Sequence, residues 1–121
     1  MPILKVEIVK VSGWSRPRDL ARKIADAVAE VLHAEPQSVW VRVSTVAAGD
    51  YSENLGVPVD AAPIFVSILE KSPPEGEALA MEVAALTGAI AEACRRKTDD
   101  IHIIYEPPGS GRVAFGGSLV S

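Results

Sequence analysis

Two halves of this chain read alike, and that repetition limits the possible folds more than any other feature. Ile3 to Val11 is rich in β-branched residues, and Leu4, Val6 and Ile8 alternate with Lys5 and Glu7. That is the period of a strand with one wet face. Ser12-Gly13 breaks it. The next stretch, from Ser15-Arg16-Pro17, reads as a helix, with proline in the first turn and Asp19 at the positive end of the dipole. Leu20, Ile24, Val28 and Val31 recur at three- and four-residue spacing as one apolar stripe. Pro36 closes it. In Val39-Trp40-Val41-Arg42-Val43 the odd positions are apolar, and Trp40 and Arg42 share the other face. Residues 47–62 contain Gly49, Gly56 and Pro58 and read as a loop, with room for a short hairpin.

The pattern then starts again. Pro63 to Leu69 is strand-like, and Ser72-Pro73-Pro74-Glu75 has the form of a capping box. Leu79, Val83, Leu86 and Ile90 make a second helical stripe, and Ile101 to Tyr105 a fourth strand. Arg112 to Phe115, followed by Gly116-Gly117, predicts a short terminal strand or hairpin. Pro-Ile opens each half, at Pro2 and Pro63, 61 residues apart. The reading is one α+β domain over 1–121, built from two tandem β-α-β units of approximately 1–60 and 61–121. A crossover makes the two strands of each unit parallel. The units join into one four-stranded sheet with both helices on one face. The other face also carries apolar residues, and no further helix is available to cover it. Another copy of the chain is therefore expected there.

Composition removes several function classes. The net charge is −4, and the densest basic run is Arg95-Arg96-Lys97. Nucleic-acid binding needs a concentrated basic face, so none is expected. A single cysteine, Cys94, excludes an internal disulfide. No apolar run is long enough for a membrane span, and the N-terminus lacks a signal-peptide pattern, so a cytoplasmic protein is expected. No Cys/His spacing suits a metal and no phosphate loop appears, so neither metal nor cofactor is expected.

The residue that draws attention is Pro2. Initiator methionine is generally trimmed before proline, which would leave a free secondary amine. An α-amine ordinarily titrates near pH ~8, and burial or a nearby cation lowers that value. A general base works best with its pKa near the operating pH. Met-Pro also opens many chains with no such role.

A proline opening a β-α-β unit that is duplicated in one chain resembles the tautomerase superfamily. Ser38-Val39, Val46 to Tyr51, Glu35-Pro36-Gln37 and the span Asp99 to Phe115 resemble segments of its members. The resemblance implies a homotrimer. It implies Pro2 as the catalytic base, moving a proton between oxygen and carbon of an enol or dienol. It also implies cationic side chains that hold a small-molecule carboxylate. Two positions that carry arginine in short members are Ser12 and Trp40 here, and Arg42 lies two residues beyond the second. Tyr51 matches the aromatic wall of their pocket. Ala34, His102, Ile104 and Phe115 stand where the longer members carry lysine, tyrosine, asparagine and tryptophan.

The candidate substrate-binding set is therefore Arg42, Arg112, Trp40, Tyr51, His102 and Phe115. Arg42 can hold a carboxylate as a bidentate fork, or it can be a surface arginine on a wet sheet face. Arg112, in a glycine-rich turn, is the reserve. Trp40, Tyr51, Tyr105 and Phe115 are candidates for pocket wall or interface. Pro63 cannot be a base, because its nitrogen is a peptide amide. Two functions remain open. One is a proline-dependent tautomerase, with hydratase, dehalogenase or decarboxylase as sister chemistries; there Glu7, Asp50, Glu53 or Glu106 would activate water. The other is a non-catalytic oligomer that binds a ligand or partner.

Overall fold

The computed structural model describes all residues, Met1–Ser121. The elements in order are β1 (Pro2–Val9), α1 (Leu20–Leu32), β2 (Trp40–Val46), a 3-10 turn (Ala48–Asp50) and β3 (Ile64–Glu70). Then come α2 (Gly76–Cys94), a second 3-10 turn (Thr98–Asp100), β4 (Ile101–Tyr105), β5 (Ala114–Phe115) and β6 (Ser118–Leu119). The main sheet has the order β2-β1-β3-β4. β1 pairs parallel with β2, β3 pairs parallel with β4, and the two units meet in an antiparallel β1–β3 seam. Each β-α-β unit thus has the expected parallel pair.

The alternation read in the sequence decides the faces. Leu4, Val6 and Ile8 of β1 and Ile64, Val66 and Ile68 of β3 are buried under the helices. They pack with Leu20, Ile24 and Val28 of α1 and Leu86, Ile90 and Cys94 of α2. Burying an aliphatic side chain of this size contributes about 1.5–3 kcal/mol, so this single cluster dominates the stability. The opposite face carries Ile3, Lys5, Glu7, Trp40, Arg42, Phe65, Ser67, Leu69, His102 and Ile104, and no helix of the chain covers it; Phe115 and Tyr51 pack on its two ends. Trp40 is 52% exposed and Ile104 57%.

Three expectations shift. α1 begins at Leu20 rather than near Ser15, because Asp19 adopts a left-handed conformation (φ 53°). α2 begins at Gly76, with Glu75 rather than Ser72 at its cap and no side-chain capping bond. Pro74 explains this: a residue before proline is held out of the helical region, so Pro73 cannot start the helix. The third shift concerns the repeat. Strand side chains alternate, so residues an odd number apart lie on opposite faces. Pro2 has the parity of the helix-facing residues, whereas Pro63 has that of Phe65, Ser67 and Leu69. The structural repeat is 62, not 61. Both helices end on left-handed caps, His33 and Arg95, that far apart. The closing bonds match too: the Ala34 amide donates to Ala29 O (2.9 Å) and the Arg96 amide to Ala91 O (3.0 Å).

The predicted hairpin forms as β5–β6, with Ala114 opposite Leu119 and Phe115 opposite Ser118. Gly116 (φ 57°) and Gly117 (φ 92°) supply the positive φ angles that a two-residue turn needs. No helix is long and apolar enough to cross a membrane.

Candidate functional site

Pro2 lies buried at one end of β1. The ladder shows where its nitrogen points. The Val9 amide donates to Pro63 O, toward β3 (3.1 Å), and the Lys10 amide to Val46 O, toward β2 (2.9 Å). Odd nitrogens on this strand therefore face β3 and even ones face β2. The Pro2 nitrogen is even and faces β2. On that side lies a cavity of about 190 Å³, lined by Met1, Ile3, Gln37, Ser38, Trp40 and Phe115. It is small and largely apolar. The Phe115 and Trp40 rings meet edge to face with centroids 5.1 Å apart. The Trp40 indole nitrogen donates to Gln37 O at 3.1 Å, which fixes the ring across the opening.

Met1 sits over this site. A Cβ placed on Gly109 would lie 2.6 Å from the Met1 methyl carbon, so the flexible end of that side chain fills the space that glycine leaves. With Met1 attached, the Pro2 nitrogen is an amide and has no basic lone pair. A chain beginning at Pro2 would have both a free amine and the vacated room beside it.

Behind Pro2, on the helix side, is a group that the sequence reading passed over. Glu70 is the direct ladder partner of Pro2. The bonding pattern makes this a pair without backbone hydrogen bonds between its members, the closer of the two antiparallel arrangements. Burial, followed by the hydrogen bond and charge of Glu82, pushes the Glu70 carboxyl up to about 7, opposed by the N-terminal amine. Glu70 Oε2 is buried without a donor. Two carboxyls bond to each other only through a proton, so the closeness of Glu82 favours the form in which the pair holds one. The Tyr105 hydroxyl donates to Glu82 Oε2 at 2.6 Å. Burial, then Glu82, raises the Tyr105 phenol well above its ordinary value. The sequence did carry a signal: Glu70 ends the buried stripe Ile64, Val66, Ile68, where an apolar residue is expected. Glu82 likewise follows Leu79 by three residues on the apolar side of α2.

The other candidates are spread over the sheet. Arg42 stands beside Lys5 on the uncovered face, two residues from Trp40, or about 7 Å along the strand. The chain's one ion pair is Arg22–Asp26, so neither of these cations has a carboxylate partner. Arg112 donates to the carbonyls of Pro107 (2.9 Å) and Pro108 (3.2 Å), which fastens the turn before β5. Tyr51 and His102 lie at the far end of the sheet. Both stack on Phe65, with centroids at 5.7 and 5.4 Å. The Tyr51 hydroxyl donates to Glu53 at 2.7 Å, and that bond raises its pKa. Within one chain, then, Pro2, Trp40 and Phe115 come together and Tyr51 and His102 do not. A larger groove of about 840 Å³ runs between α1 and α2, but none of its lining residues belongs to the sheet. No cluster of side chains suits a metal ion.

No family model and no curated protein matches the sequence. Solved structures do. A fused 4-OT, solved as a symmetric trimer, has a TM-score of 0.75 at 21% identity, over 98% of this chain and 94% of that one. Macrophage migration inhibitory factor from Trichinella spiralis has a TM-score of 0.72 at 14% identity, over 97% and 98%. FG41 malonate semialdehyde decarboxylase, inhibited by 3-bromopropiolate, has a TM-score of 0.69 at 19% identity, over 94% and 88%. The duplicated β-α-β sheet of this chain is the fold that these structures share.

Proposed function

We propose that this chain, once Met1 is removed, is a cytoplasmic, proline-dependent tautomerase. It moves a proton from the enol oxygen to carbon of a small unsaturated 2-hydroxy or 2-oxo acid. The observation that carries this reading is the direction of the Pro2 nitrogen, toward an apolar cavity beside a cationic strip. The amine lone pair takes the enol O–H proton as the carbonyl forms, then returns it to the carbon that gains the C–H bond. No net proton is consumed. Ile3, Trp40 and Phe115 exclude water and favour the neutral amine. Arg42, with Arg112 in reserve, binds the substrate carboxylate through charge-assisted hydrogen bonds.

Assembly as a homotrimer supports the reading. The uncovered face, with half-exposed Trp40 and Ile104, needs a cover, and the fused 4-OT of this fold is a symmetric trimer. A neighbouring copy would then bring the Tyr51–His102 end of its sheet, absent from the Pro2 end of a single chain, within reach of the site. A second reading, a sister reaction such as decarboxylation, is favoured by the Glu70 carboxyl beside Pro2 and by the likeness to a decarboxylase.

The test compares a chain beginning at Pro2 with the same chain acetylated at that nitrogen. Substrates are 2-hydroxymuconate, phenylenolpyruvate and a 3-haloacrylate. Enol–keto conversion by the free amine alone is the expected result. Equal rates with a blocked amine, or Met1 retained in active protein, would overturn the mechanism.

A further inference from the structure

The fold contains its own comparison for the residues behind Pro2. The 62-residue structural repeat places Glu70 at the position of Ile8, Glu82 at that of Leu20, and Tyr105 at that of Val43. At the far end of the sheet those three positions are ordinary core. Ile8 is 0% and Leu20 1% exposed, and Val43 packs against them. The same architecture is thus satisfied there by hydrocarbon. At the Pro2 end it holds two carboxyls and a phenol, at a desolvation cost that hydrocarbon would avoid. Folding does not require this set, and it stands at the end of the sheet that carries Pro2, whose counterpart in the 62-residue repeat is Ile64.

We propose that Glu70, held by Glu82 and Tyr105, is a positioning residue that sets the proton affinity of the mature Pro2 amine. The inference rests on the reading of Pro2 as the reactive amine. Its geometry is the Pro2–Glu70 ladder pair, the buried donor-free Oε2 and the 2.6 Å Tyr105–Glu82 bond. The groups facing Glu70 are few. Met1, just before β1, carries the N-terminal amine that lowers the Glu70 pKa, α2 supplies Glu82, and β4 supplies Tyr105. The β2 side of Pro2 presents only Ile3, Gln37, Ser38, Trp40 and Phe115, none of them charged. Glu70 is therefore the carboxyl placed to offset the apolar cavity. An ionised Glu70 favours the charged amine and a protonated one favours the neutral base. The proton shared with Glu82 decides which form is present. Tyr105 biases that proton toward Glu70, because its hydroxyl stabilises Glu82 as the anion. The network thereby keeps the amine basic enough to take a proton and free enough to return it.

The experiment follows the Pro2 nitrogen by NMR in a [15N]proline-labelled chain beginning at Pro2, titrated with and without substitutions. Glu70→Gln keeps the shape and removes the charge that Glu70 gains as pH rises through about 7, so the amine midpoint should fall by at least about 0.3 pH unit. Tyr105→Phe removes the donor to Glu82, sends the shared proton there and ionises Glu70. The midpoint should then rise. Opposite shifts from neighbouring residues are not what a merely structural role produces. If Glu70→Gln fails to fold, the upward shift in Tyr105→Phe still decides the matter. Midpoints that move by less than about 0.3 unit in the folded variants would overturn the proposal. The acid limb of kcat/KM should follow the amine. If the NMR shifts appear but no enol is turned over, the tautomerase reading fails while this one stands. If turnover persists with unmoved midpoints, the reverse holds.

Discussion

Replacing Arg96 with methionine should destabilise this fold more than any other substitution of a charged side chain. The guanidinium turns inward from the end of α2. Its Nη1 donates to Ala62 O at 2.6 Å and its Nη2 to Val9 O at 2.9 Å. It lies 4.6 Å above the Trp14 ring, and the Trp14 indole in turn donates to Cys94 O at 2.8 Å. Asp100 completes the group by accepting the Ala62 amide at 3.2 Å. One side chain thus ties the end of β1, the loop before β3 and the end of α2. Two hydrogen bonds from a charged donor contribute roughly 1.5–3 kcal/mol each, and a half-buried cation–π contact about 1 kcal/mol. Against this stands burial of the cation, which lowers its pKa and leaves Nε without a partner. The net loss in Arg96→Met, which keeps much of the stem's packing, should be about 3 kcal/mol. With a urea slope of roughly 2 kcal/mol per molar, the midpoint should drop by about 1.5 M. Trp14→Phe should cost about 1 kcal/mol, and the double variant should show coupling of at least about 0.5 kcal/mol. Urea unfolding at one protein concentration measures all three. A loss below about 1 kcal/mol in Arg96→Met would refute the reasoning, since two buried carbonyls would then have lost their donor at almost no cost.

Stability should also depend on pH through Glu70. Its folded pKa, about 7, lies above the ordinary 4.5, so its contribution is fully present below pH ~4.5 and lost as pH rises through 7. The unscreened shift corresponds to about 3 kcal/mol, and half-exposure reduces this to about 1–2 kcal/mol; Glu70→Gln should flatten that part of the denaturation profile, and an unchanged slope would contradict the burial argument. Arg42→Ala should lower kcat/KM on a carboxylate substrate by about ten-fold or more, and unchanged kinetics would remove Arg42 from the site. Gly117→Val places a β-branched side chain at φ 92°, so the β5–β6 turn should open; quenching of Phe115 and Trp40 contacts, followed by tryptophan fluorescence, reports it.

Much of this molecule was legible because strands and helices bury residues at fixed periods. Leu4, Val6 and Ile8 marked the inner face of β1, and Leu20, Ile24 and Val28 that of α1. Gly116-Gly117 marked the hairpin by its φ requirements. The helix starts were less legible, because Asp19 and Glu75 cap through backbone conformation rather than side-chain bonds. The repeat of Pro-Ile misled by one residue, since identical letters do not guarantee the same face. At the site, Pro2, Trp40 and Phe115 could be brought together from the resemblance. Glu70, Glu82 and Tyr105 could not, because their meaning depends on the antiparallel β1–β3 register. No local pattern reveals which residue will stand opposite Pro2.

The seam between β1 and β3 has a consequence for the chain during its synthesis. Of the four strands of the main sheet, β1 leaves the ribosome before the others, yet it finishes in the interior of the sheet, between β2 and β3. Its first edge can pair once residues 40–46 have emerged, but its second waits for Ile64–Glu70. At about 5–20 residues per second, that gap of roughly 60 residues lasts about 3–12 s. Throughout it, a strand rich in valine and isoleucine offers unpaired amides and carbonyls to any neighbouring nascent chain. Lys5 and Glu7, spaced along the outer face of that strand, are the charges that discourage such pairing until its partner arrives.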